Sequence, residues 1–161
     1  MSLGYLDSSI LVAVSRGVNT VDELSRFFKG VDPKVLESRL RSLEASGYLR
    51  SELRGLIFKK RVYTLTEKGG RALDEAMKNV EKASLEARRL AREGRSVDDW
   101  PMELAWILPL LLWLGLIDLA LISSIGYAAE EYPGDVQGEP EADAGGEEGF
   151  DVDFGDFGGE F

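Results

Sequence analysis

The chain has 161 residues, 44% of them apolar, and it lacks both cysteine and histidine, which excludes disulfides, thiolate metal sites and the commonest general base and nitrogen ligand. Its net charge of −10 conceals two opposite parts: residues 1–95 hold all nineteen Lys and Arg with thirteen acids, whereas from Ser96 onward there are sixteen acids and no base. This length allows one compact domain with appendages, and with no metal, phosphate-loop or nucleophile constellation, neither an enzyme nor a cofactor is expected.

In chain order, Met1 to Leu6 lacks a basic start and a cleavage site, so no cleavable signal is expected. A first helix is predicted from Asp7 or Ser8 to Ser15, with Ile10, Leu11 and Val14 at helical spacing. A second follows Thr20, whose hydroxyl can cap the run VDELSRFFK before Gly30. The third is signalled best: Asp32 caps it, Pro33 suits its first position, Leu36, Leu40 and Leu43 form an inner stripe, and Gly47 ends it. Residues 48–53 and 56–65 then alternate as two strands around Arg54-Gly55. Thr66 caps a long helix over 67–94 whose Leu73, Ala76, Val80, Ala83, Ala87 and Leu90 repeat at steps of three and four. That seam suits either dimerisation or packing on its own domain.

Three helices, then LESRLRSLEASGYLRSE, then a basic hairpin ending in VYTLTEKGGRAL, resemble the winged helix-turn-helix domain of PadR-type and MarR-type transcription regulators. The resemblance covers roughly residues 5 to 92. Its most specific parts are Gly47-Tyr48-Leu49 and the phrase from Tyr63 to Gly69. It implies a mainly α fold with a small β-hairpin (α+β), a winged helix-turn-helix domain over 5–66, a third helix in the DNA major groove, a wing on phosphates or the minor groove, and a homodimer built on the following helix.

The residues fit that use. On the third helix, Lys34, Ser38, Arg39, Arg41 and Ser42 combine charges for phosphates with short hydroxyls that approach base edges, although Glu37 and Glu44 lie among them. On the hairpin, Arg50, Arg54, Lys59, Lys60 and Arg61 place five cations within twelve residues to neutralise the phosphates of double-stranded DNA.

After a linker over 95–103, residues 104–127 form the most apolar stretch, with Asp118 the only charge between Leu104 and Ile125. As one helix, 104–125 would reach roughly 33 Å, close to a bilayer core of about 30 Å. Arg88, Arg89, Arg92 and Arg95 precede it, as expected of a cytoplasmic flank, and Trp106 and Tyr127 stand about one membrane thickness apart. The stretch therefore predicts a single transmembrane helix with Asp118 as an intramembrane polar residue. The competing reading is a helix broken at Pro109 or Gly115 that serves a dimer interface. From Glu130 the chain is Gly, Asp, Glu and Pro with Phe150, Phe154, Phe157 and Phe161, which predicts a disordered acidic tail over 130–161. Those rings are either anchors for a protein partner, a cover for the basic wing, or incidental to a solubilising segment. The functional expectation is a membrane-anchored DNA-binding regulator. The alternatives are a soluble dimeric regulator and a winged-helix interaction adaptor at the membrane.

Overall fold

The computed structural model describes residues 2–28 and 30–127; the acidic tail expected over 130–161 lies outside them. The elements run α1 (Tyr5–Ser15), α2 (Val21–Ser25), α3 (Pro33–Ala45), β1 (Leu49–Arg54), β2 (Lys60–Leu65), α4 (Glu67–Arg92), a 3-10 turn (Val97–Asp99), α5 (Met102–Trp106), α6 (Leu108–Trp113) and α7 (Leu119–Ser123). The mainly helical chain with one antiparallel hairpin is the architecture expected of a winged helix.

Local chemistry sets most boundaries. The Thr20 hydroxyl accepts from Glu23 N–H at 3.1 Å, the Asp32 carboxylate from Lys34 N–H at 2.8 Å, and the Thr66 hydroxyl from Gly69 N–H at 3.0 Å, each satisfying an amide that a helix start leaves open. The second helix ends at Ser25, earlier than expected, and Phe27 and Phe28 follow it into the core. β2 begins at Lys60, four residues later than the alternation suggested, so Leu56, Ile57 and Phe58 belong to the connecting turn.

α1 lies at the centre. Every residue from Leu6 to Val14 is buried, including Asp7, Ser8 and Ser9, because α4 packs along one side while α3, β2 and α5 take the others. A helix enclosed all round has no solvent face to fill with charge. Asn79 on α4 donates to Ser8 Oγ at 3.0 Å and to the Leu3 carbonyl at 3.2 Å, giving those enclosed polar atoms partners. Ala76, Val80, Ala83, Ala87 and Leu90, the seam that suited a dimer, are buried in the chain's own core, which removes that stripe as a free dimerisation surface.

Residues 104–127 do not form a single helix, and among the described residues no helix is long and apolar enough to cross a membrane. The stretch divides into α5, α6 and α7, of five, six and five residues. Pro109 sits in the first turn of α6, Gly115 ends α6 at φ +75°, where a side chain would be strained, and Asp118 starts α7 by accepting from Ala120 N–H at 3.1 Å. The leucines fold back over α1 and α4, and Leu104, Ile107, Leu108, Leu110 and Leu111 are fully buried. Of the rings expected at lipid interfaces, Tyr127 is buried and Trp106 is half-buried against the core. Trp100 is buried too, with its Nε1–H donating to the Arg95 carbonyl at 3.1 Å, and Trp113 meets Phe27 edge-on with ring centroids 4.9 Å apart.

Candidate nucleic-acid interface

α3 buries Leu36, Leu40 and Leu43, and this orientation turns Lys34, Ser38, Arg41 and Ser42 to solvent along its opposite face. Helical spacing of 34, 38, 41 and 42 makes one strip about two turns long. Lys34 sits at its start and, like Lys59 and Lys60 on the hairpin, forms no ion pair among the described residues.

Arg39 does not belong to that strip. Its guanidinium lies 3.2 Å from Asp7 Oδ1 and 3.4 Å from Glu103 Oε2, so it joins α3 to α1 and to the start of α5. Burial raises the Asp7 carboxyl above its usual range, with Arg39 pulling it down and Glu103 pushing it up. Glu103 also accepts from Leu6 N–H at 3.1 Å. α1 has Gly4 at its N-cap and no side-chain cap of its own, so the carboxylate that serves its first turn comes from nearly one hundred residues away.

The hairpin register pairs Leu49 with Leu65, Ser51 with Tyr63, Leu53 with Arg61 and Arg54 with Lys60. Strand alternation therefore divides the wing cations: Arg50, Arg54 and Lys60 share one face, and Arg61 projects from the other with Ser51 and Tyr63. Arg50 Nε donates to Thr64 Oγ1 at 3.3 Å and Arg54 pairs with Glu52. Arg61 Nη1 donates to Ser51 Oγ at 2.9 Å, and Ser51 Oγ donates to Glu44 Oε2 at 2.9 Å, a relay that fixes the end of α3 to both strands. Glu44, whose charge would repel a phosphate, is thereby engaged by the wing.

Arg41, Glu37, Glu44, Arg61, Val21 and Tyr63 line a cleft of about 430 Å³ between α3 and the hairpin. Burial pushes the Tyr63 hydroxyl above its usual range, while Arg61 draws it the other way. The pairing of Arg41 with Arg61 across this cleft was not predicted; strand alternation carried the signal, since Arg61 shares parity with Tyr63. The cation–π contact of Lys68 Nζ over the Tyr48 ring at 4.6 Å, which ties the start of α4 to the exit of α3, was missed as well.

At the hairpin tip Gly55 adopts φ +117°, and a Cβ there would collide with the Phe58 carbonyl oxygen. Leu56, Ile57 and Phe58 consequently stand in solvent between Arg54 and Lys59. Asp118, expected inside a bilayer, is an exposed helix cap that lines a shallow cleft of about 630 Å³ with Arg88 and Arg92. No group of three or more His, Cys, Asp or Glu among the described residues could hold a metal ion.

No curated protein and no solved structure matches the chain. The HxlR-like helix-turn-helix family matches residues 6–89, just over half of it, from the start of α1 to the last turn of α4. The PadR-type and MarR-type likeness read from the sequence thus extends to the winged architecture, and the family that matches is a different one. With its three helices, its hairpin and the helix that follows all inside that match, the chain belongs to the HxlR-like helix-turn-helix family of DNA-binding transcription regulators.

Proposed function

We propose that this regulator reads duplex DNA with the exposed strip of α3 in the major groove and holds the backbone with the hairpin cations. The observation that carries the reading is that Lys34, Ser38, Arg41 and Ser42 face solvent together while the Glu44–Ser51–Arg61 relay holds the hairpin beside them. A short hydroxyl and a guanidinium on one helical strip supply base-edge partners, and Lys59 and Lys60 supply sequence-independent attraction. Arg39, engaged with Asp7 and Glu103, acts as a brace for α3.

The protein works as a DNA binder with no need of a lipid tether, since residues 104–127 complete the core instead of spanning a bilayer. A homodimer on two half-sites forms through a surface other than the buried stripe of α4.

Binding of the full chain to duplex DNA over a salt series tests this. Arg41→Ala should weaken a cognate site by about 1–3 kcal/mol and unrelated duplexes little; an equal loss everywhere makes Arg41 a phosphate ligand. Replacing Lys59 and Lys60 by Gln should flatten the salt dependence by roughly 0.9 for each phosphate that is no longer neutralised, and an unchanged slope takes the wing out of the interface.

A further inference from the structure

The hairpin tip combines two properties that DNA contact alone does not call for together. Leu56, Ile57 and Phe58 are 99%, 84% and 84% exposed, and Arg54, Lys59 and Lys60 flank them. Phosphates account for the cations but give three adjoining apolar side chains nothing to cover them. Residues 128–161 carry the inverse chemistry: twelve Asp and Glu with no base, ending in Phe150, Phe154, Phe157 and Phe161 set among Asp151, Asp153, Asp156 and Glu160. Phe150 is 23 residues beyond Tyr127. That length of chain reaches up to roughly 80 Å, against a diameter of about 35 Å for a domain of this size, so every face of the head is within range.

We propose that residues 150–161 dock on the hairpin tip of their own chain and compete there with DNA. The carboxylates face Arg54, Lys59 and Lys60, as phosphates would, and the phenyl rings cover Leu56, Ile57 and Phe58. This one occupant satisfies both features of the tip. The docking rests on the tip and the tail sequence; only its regulatory consequence rests on the DNA-binding reading. Because both partners are on one chain, the local concentration is of millimolar order, and an interaction with a dissociation constant of about 0.1 mM lowers DNA affinity about tenfold. Salt weakens tail and DNA alike, so the regulator is a balance between two polyanions for one basic surface.

The test compares the full chain with its Phe150→Ser, Phe154→Ser, Phe157→Ser, Phe161→Ser variant, by amide NMR and by binding to a duplex of arbitrary sequence. Expected are shifts of the amides of residues 54–60 in the variant, in the direction that high salt moves them in the parent, and about tenfold tighter duplex binding. The Leu56→Ser, Ile57→Ser, Phe58→Ser variant, altered only at exposed positions, should lose the tail-dependent shifts. Unmoved hairpin amides overturn the docking even if duplex binding is intact; shifted amides with no duplex binding by either protein sustain the docking and sink the DNA reading. Shifts that appear only as protein concentration rises assign the tip to a second copy and overturn the intramolecular docking.

Discussion

Two apolar runs in this chain have opposite fates. The long one, residues 104–127, is cut by Pro109, Gly115 and Asp118 into three short helices that close over α1 and α4. The short one, Leu56-Ile57-Phe58, is held off the body at the end of a two-stranded ribbon and touches little. Hydropathy states how strongly a segment avoids water, but what covers it depends on where the chain can bend. Three punctuation residues let twenty-four residues fold back, and a turn made by Gly55 leaves three residues stranded.

Substitutions separate the two runs by the size of their effects. Leu104→Ala removes a fully buried side chain from the long run and should lower stability by about 3 kcal/mol in chemical denaturation, which a lipid-facing or dispensable segment would not do. Arg39→Ala removes the tie from α3 to Asp7 and to Glu103, just before that run, and leaves the Asp7 carboxylate buried beside Glu103. Arg39 is itself about one third exposed, so the expected loss is about 2 kcal/mol, less than for a fully enclosed pair.

The pH dependence of this loss has a definite sign. Asp7 has its pKa raised on folding, so its contribution to stability is complete in acid and disappears as pH rises through the raised value. Without Arg39 the value rises further. The Arg39→Ala deficit should then be largest near neutrality and shrink in acid; thermal melts across pH that show a constant deficit would rule out Asp7 as its source.

At the tip, Gly55→Ala meets both a positive φ and the Phe58 carbonyl oxygen, and should cost about 1–2 kcal/mol, read as faster hydrogen exchange confined to the hairpin. Phe58→Ser, made in the Phe150→Ser, Phe154→Ser, Phe157→Ser, Phe161→Ser background, should change global stability by less than about 0.5 kcal/mol, the smallest effect of the series, because nothing in the head is packed on the ring. A larger loss in that background, where the tail rings are gone, would mean that another surface covers the tip.

Much of the head was legible because its signals are local. Thr20, Asp32 and Thr66 cap the helices that they were expected to cap, and the stripe Leu36, Leu40 and Leu43 gave the solvent face of α3. What failed depends on tertiary contacts. Arg39, three residues after Leu36 and four before Leu43, lies at the edge of the buried stripe of α3, and its cationic type hid that position; Asp7 and Glu103, which engage it there, come from distant parts of the chain. The α4 seam carried the same ambiguity, since small residues at heptad spacing fit α1 as well as a second copy. For residues 104–127 a break at Pro109 or Gly115 was legible in the sequence, but it was read as serving a dimer interface. That Asp118 caps α7 and that the pieces close over the chain's own core depends on tertiary contacts with α1 and α4.

The Glu103 carboxylate at the first turn of α1 links two points separated by most of the polypeptide. During synthesis the amino-terminal helix therefore emerges long before the group that completes it, and the winged-helix head stays unfinished until the ribosome has released residues beyond 103. Expressing residues 1–95 alone should yield a soft, aggregation-prone product rather than a miniature regulator, with the central helix laid bare on one side.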